Sequence, residues 1–380
     1  METKRRGMAA GRVRIGAACL TAMALLIPAS GEAQSPGAFT PSRQGGIPGA
    51  LLPDELHLWQ WDPATSSYVV VDGDASQPYV PNLDRSAPEG TSIAFAEGLA
   101  AIPFSAVINE GIHRYAEQIG FEVPYCDTAF DAAKAVSCAE QLAQQQPDFV
   151  INSNWQAGAG PAMMDIFDAA GIPTTSIDVV HPNAIFMGAD NYTSGFIAGQ
   201  HAGQRVSDLG HCGDVWLYVG ENLGEGEAAN QRLVGFKDGV QTVCGAIPED
   251  RMGSEIFDQQ SAEQALTKTT DWLTAHPQAA FVAATSIDDA RADGIAKALA
   301  QSGRDGVAVG LGCDTIGIEA TKAAPPEESR FLGCVAYFPE RYPDYVVSIA
   351  LDVLEGKAVP QEVHIAHEFL DRATIGTVYP

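Results

Sequence analysis

The chain has 380 residues, with 22 Lys and Arg against 48 Asp and Glu and a formal net charge of −26. A surface this negative repels phosphate backbones and anionic headgroups, which excludes nucleic acid and membrane surfaces as expected partners. The first 33 residues read as an export signal. Lys4, Arg5, Arg6, Arg12 and Arg14 form a basic start, and the run 15–29 is apolar but short for a bilayer span. Gly31 and Ala33 fit a small-residue cleavage site that leaves Gln34 first. A lipoprotein would need a cysteine after the apolar run, whereas Cys19 lies inside it, and an uncleaved anchor would be short. No later stretch is long and apolar enough to span a membrane, so a periplasmic or otherwise extracytoplasmic protein is expected. The remaining chain, about 345 residues, suits two domains.

Of the seven cysteines, the leader holds Cys19. Six thiols in an exported chain suggest disulfides, and they allow 15 pairings. Sequence order suggests Cys126–Cys138, Cys212–Cys244 and Cys313–Cys334.

Residues 34–87, rich in Pro, Gly, Ser and Asp, read as an extension. Within it, 56–61 and 68–73 alternate enough to predict a small hairpin whose Trp residues pack on the main body. From about residue 90 the pattern turns to strand and helix in alternation. Strands are predicted at 92–96, 121–125, 149–151 and 173–177, with helices at 103–119, 131–145 and 159–170. The same alternation restarts after Asp190. Helices are predicted at 193–207, 227–242, 261–275, 288–301 and 315–322. Strands are predicted at 214–219, 253–257, 280–284, 307–311 and 331–336, with a last helix at 339–354. The expected fold class is α/β: two doubly wound, parallel-sheet lobes joined by a multi-strand hinge. Ligands of such sheets bind beyond the carboxyl ends of the strands.

Several segments then carry a family resemblance in order. They are Gly188-Ala189-Asp190-Asn191-Tyr192 with Gly195 and Ala198-Gly199; Arg232 to Gly239; Asp288-Asp289-Ala290 running into Gly294 to Leu299; Gly312-Cys313-Asp314; Phe338-Pro339; and Leu354-Glu355-Gly356-Lys357 with Pro360. Over about residues 90–370 the chain resembles the periplasmic sugar-binding family of the ribose- and galactose-binding type, a fold shared with the effector domain of lactose-repressor-type regulators. The resemblance implies an N-terminal lobe of 88–190 plus 338–364 and a C-terminal lobe of 191–337 plus 365–380. It implies a sugar-like solute, polyol or modified sugar, bound in the cleft of a monomer that partners the permease and ATPase of an ABC importer.

The implied binding residues are Phe104, Asn152, Trp155, Asp178, Asn230, Phe257, Asp288, Asp314 and Tyr337. Four have a plainer alternative: Phe104 and Phe257 as core, Asp288 as a helix cap, Trp155 as a surface residue. Where pentose binders of this family carry Arg, the aligned positions are Val179 and Asn230. Ile102 and Ser105 replace an Asn and a second Phe. A site without these arginines, richer in acceptors and more apolar on one wall, is therefore expected, and it fits a polyol, a deoxy or modified sugar, or a small cationic solute better than ribose.

Gly224 to Ala229 mimics a dinucleotide loop, but its two Glu would oppose a pyrophosphate. His364, His367 and Glu368 do not form a recognised metal frame and read as surface or hinge residues. No catalytic residue, metal or cofactor is assigned. The alternative functions are a sensory ligand-binding protein for chemotaxis or signalling, and an exported carbohydrate-active enzyme using Asp178 and Asp314 as an acid–base pair.

Overall fold

The computed structural model describes residues 56–380 apart from Ser76 and Gln260. The expected signal at 1–33 and the opening of the 34–87 extension lie outside these residues. Two strands, β1 (Leu58–Asp62) and β2 (Ser67–Val71), form an antiparallel hairpin. The chain then alternates: β3 (Ile93–Glu97), α1 (Pro103–Tyr115), β4 (Tyr125–Asp127), α2 (Ala132–Gln144), β5 (Phe149–Asn152), α3 (Gly160–Ala169), β6 (Thr174–Ile177) and β7 (Ile185–Ala189).

A second run follows: α4 (Asn191–Asp208), β8 (Val215–Glu221), α5 (Gly226–Cys244), β9 (Met252–Ile256), α6 (Ala262–Ala275), β10 (Phe281–Ser286), α7 (Asp289–Gln301), β11 (Asp305–Gly312), α8 (Thr315–Ala323), α9 (Pro326–Ser329) and β12 (Phe331–Ala336). The end of the chain supplies α10 (Tyr342–Leu354), β13 (Val359–Pro360), β14 (Glu362–Ile365), β15 (Glu368–Asp371) and α11 (Ile375–Val378).

The strands make two six-stranded sheets, ordered β14-β7-β6-β5-β3-β4 and β15-β12-β11-β10-β8-β9. Every pair in the first is parallel, and only β15 runs antiparallel in the second. Parallel strands covered on both faces read as unbroken apolar runs. Accordingly, every residue of β3, β7 and β10 is buried. The chain passes between the sheets three times: from β7 into α4, from β12 into α10, and from β14 to β15.

Local chemistry sets the helix starts. Asp131, Asp190, Ser261, Asp288 and Asp314 each accept a backbone N–H of the first turn of α2, α4, α6, α7 and α8. Pro103 opens α1 and Pro343 lies in the first turn of α10, where a missing N–H costs nothing. The expected helix 103–119 is shorter than predicted: α1 ends at Tyr115, and Ala116–Gly120 form a wider π turn. The expected strand 121–125 shrinks to a lone bridge between Ser92 and Glu122, and β4 starts four residues later than the pattern suggests.

Helices α4 and α5 approach through glycines. A Cβ on Gly195 would lie 1.8 Å from the Arg232 carbonyl oxygen, and one on Gly199 would lie 2.1 Å from that of Phe236. In return, a Cβ on Gly235 would meet the Tyr192 carbonyl at 2.1 Å. This contact fixes how α5 rolls over the second sheet.

Disulfides join Cys126–Cys138, Cys212–Cys244 and Cys313–Cys334, with Cα atoms 5.9, 4.9 and 5.2 Å apart. The pairing is the one suggested by sequence order. The expected hairpin is present, and β13 pairs with β1 to complete a three-stranded sheet. Its Trp59 and Trp61 pack against the main core, and the Tyr68 hydroxyl donates to the Thr174 carbonyl. The segment after it is strapped onto α10 by Tyr79 to Asp352 (2.7 Å) and by Arg85 to Asp352 (2.8 Å).

Candidate functional site

A cavity of about 220 Å³ lies where both sheets present their strand ends. The first sheet contributes Ala101 to Phe104 at the start of α1, Trp155 after β5, and Asp178 and Val179 after β6. The second contributes Glu225, Ala229 and Arg232 from the start of α5, Asp288 to Ala290 from the start of α7, Asp314 and Ile316 beside α8, and Tyr337 after β12. Ligand pockets for drug-sized molecules run from about 300 Å³ upward, so this one suits a small solute.

The aromatic wall is built edge to face. Phe104 meets Trp155 at 6.1 Å and Tyr342 at 5.5 Å between ring centroids. Trp155 is buried, and its indole N–H has no partner among the described residues. A buried donor on a cavity wall is a group that a ligand acceptor can satisfy.

Asp178 sits at φ 61°, in the left-handed region that side chains seldom occupy. This bend turns the carboxylate at the end of β6 back toward Gly188. There Oδ1 accepts the Ala189 N–H at 2.9 Å and the Tyr342 hydroxyl at 2.9 Å. Burial raises the Asp178 pKa, and the Arg232 charge and these two donors oppose the rise.

Arg232 is nearly buried. Its Nε donates to Asn191 Oδ1 at 2.7 Å, its Nη1 donates to the Ile287 carbonyl at 2.6 Å, and the guanidinium lies 5.2 Å from the Tyr337 ring centre. Tyr337 shares a 2.9 Å hydrogen bond with Ser194, and burial pushes its pKa up to about 12.

Three carboxylates meet on the second-sheet wall. Asp288 caps α7 and pairs with Arg291. Asp314 caps α8, its Oδ1 accepting Ile316 N–H at 2.8 Å and Gly317 N–H at 3.2 Å. Asp289 accepts the Asp314 N–H at 2.9 Å. Burial, reinforced by the neighbouring Asp314 charge, raises the Asp289 pKa well above the ordinary range.

Of the expected binding residues, the cavity brings together Phe104, Trp155, Asp178, Asp288, Asp314 and Tyr337. Asn152, Asn230 and Phe257 lie outside its lining. The Asn152 Oδ1 accepts the Asn154 N–H, tightening the turn after β5. Asn230 clamps the loop before α5, donating to the Asn222 and Gly226 carbonyls at 2.9 and 2.8 Å. The Phe257 ring fills the space over Gly220, where a Cβ would come within 2.2 Å of it. The expectation of a site without arginine is also corrected, since Arg232, two residues beyond the aligned Asn230, reaches the cavity. Glu225 and Asp289 were missed as well. Glu225 carried a signal in its spacing, four residues before Ala229 and seven before Arg232, and Asp289 stands directly beside Asp288.

The C-terminal histidines are not surface groups. His364 is buried and hydrogen-bonded to Glu362 at 2.8 Å. His367 joins two of the crossings: its Nε2 accepts the Asp190 N–H at 3.0 Å and its Nδ1 lies 3.3 Å from the Ala336 carbonyl. That pattern requires a neutral ring with the proton on Nδ1. Burial lowers the pKa from 6.5 to about 4. For a base with a depressed folded pKa, this contribution is complete above 6.5 and is lost as pH falls toward about 4. The melting temperature is therefore expected to fall over that window, and less steeply in His367→Gln; parallel slopes would show that His367 carries none of the dependence.

A family model described as a periplasmic binding protein domain matches residues 93–358. The chain belongs to that family. A ribose import binding protein of Haemophilus influenzae is 23% identical over 291 residues, spanning 74% of this chain and 92% of the relative. An ABC transporter solute-binding protein of Mycobacterium smegmatis, with bound glycerol, superposes with a TM-score of 0.66 at 21% identity, covering 77% of this chain and 97% of that one. One from Bacillus halodurans, with bound myo-inositol, gives 0.64 at 18% identity, covering 76% and 97%. These likenesses place the two sheets and the cavity within the periplasmic binding protein fold.

Proposed function

We propose that the chain is the extracytoplasmic solute-binding component of an ABC importer, taking one small sugar or polyol into the cavity. The observation that carries this reading is the composition of the lining. Both sheets supply it, with aromatic rings on the first-sheet side and hydroxyl acceptors on both. Apolar faces of a sugar pack on rings, while each hydroxyl needs a fixed partner.

The two lobes, 88–190 with 338–364 and 191–337 with 365–380, swing about the three crossings. The solute binds the closed form better and so shifts the population toward it. The closed form is what the permease and ATPase would receive, from a monomer exported through its cleaved signal. The solute is released unchanged, because Asp178 is held by Tyr342 and the Ala189 N–H rather than poised against a reacting bond.

A thermal-shift panel of sugars and polyols tests this. A solute at 100 times its dissociation constant adds about 2.7 kcal/mol of stability. Asp314→Ala should remove the shift, while the lost helix cap lowers the unliganded stability by only about 1 kcal/mol. A full shift in Asp314→Ala, or steady conversion of the solute, would contradict the reading.

A further inference from the structure

The charge in the cavity is not balanced, and this bears on which small polar solute fits. Five carboxylates line it, from Asp178, Glu225, Asp288, Asp289 and Asp314, against the single lining guanidinium of Arg232. Two of the Arg232 nitrogens are committed to Asn191 and Ile287. Arg291, behind the wall, is spent on Asp288 and lies 3.9 Å from Glu225. Asp289 and Asp314 make no ion pair among the described residues.

An independent observation sits in the same place. Asp289 is 1% exposed, yet its Oδ1 has no hydrogen-bond partner among the described residues. Gly310 and Gly317 make room for it, since a Cβ on either would lie 2.2 or 2.5 Å from Oδ1. The fold thus clears space for a carboxyl that no cation pairs with among the described residues. Burial raises both carboxyls, and the Asp314 charge adds to the rise at Asp289 as the Asp288 charge does at Asp314.

We propose that the solute is a polyhydroxy compound carrying a protonated amine, an amino sugar or amino polyol. Its ammonium lies at Asp314, Asp289 and Asp288, and its carbon framework lies against Phe104 and Trp155. An ammonium brings three donors and one positive charge to three converging carboxyls, where a hydroxyl brings one donor and none. An ammonium beside these carboxyls favours their ionised form, so any proton they carry leaves to solvent. A sugar acid would bring a further carboxylate against this wall of acceptors and is disfavoured. This inference rests on the solute-binding reading above.

Calorimetric titration with matched pairs separates the two claims. The pairs are D-glucosamine and D-glucose, D-galactosamine and D-galactose, D-mannosamine and D-mannose, and serinol and glycerol, with D-glucuronate as the anionic member. The amine of at least one pair should bind about tenfold or more tightly than its neutral partner. Asp314→Asn keeps the helix cap and should abolish the preference, bringing the affinities of the amine and its neutral partner within about threefold of each other, and its unliganded melting temperature, close to that of the wild type, reports that the variant is folded. Equal or tighter binding of the neutral partner or of D-glucuronate, or a preference that survives in both Asp314→Asn and Asp288→Asn, overturns the amine and leaves the solute-binding reading standing. No binding by any member overturns that reading itself.

Discussion

Arg232→Met is expected to lower stability by about 3 kcal/mol and to abolish solute-induced stabilisation. Methionine keeps the length and apolar stem of the side chain but none of its donors. Asn191 Oδ1 and the Ile287 carbonyl lose their 2.7 and 2.6 Å partners in a dry setting, each at about 1–3 kcal/mol. Asp178 also loses the charge that offsets its burial, and Tyr337 loses the cation over its ring. The same guanidinium lines the cavity, so the effect is double. Urea unfolding with and without solute measures both parts. A midpoint within experimental scatter of the wild type would show that the clamp between α5 and the crossing carries no weight.

The second large effect is steric. Gly195→Val should also lower stability by about 3 kcal/mol and weaken solute binding at least about tenfold. The new Cβ would stand 1.8 Å from the Arg232 carbonyl, so α4 and α5 must separate. The backbone that moves is the one that aims Arg232 at the cavity, and the affinity therefore falls along with the stability. Gly213→Ala, where nothing lies within 4 Å of a new Cβ, is the control and should be near neutral. Wild-type affinity in Gly195→Val would show that the helix contact does not position the site.

Much of this fold was legible because parallel strands buried on both faces leave continuous apolar runs, as at β3 and β10. The pieces that escaped were short or mixed. β13 holds only two residues, and β13, β14 and β15 follow each other with almost no loop between them. Strand-end residues such as Asp178, Asp314 and Tyr337 could be picked out because ligands of open α/β sheets collect there. Arg232 could not be picked out in the same way. It lies nearly two turns inside α5, and which face of that helix meets the cavity is set by the Gly195, Gly199 and Gly235 contacts, which only the folded chain displays. Asn230 illustrates the opposite error: it has the right residue type near the right place, but its amide is used up closing the loop from Asn222.

The most direct test is a crystal structure with the tightest-binding member of the sugar and amino-sugar panel. The account predicts one molecule between the sheets, packed on Phe104 or Trp155 from one side and hydrogen-bonded to Asp314 or Arg232 from the other. A solute seated elsewhere, or touching residues of only one sheet, would contradict it.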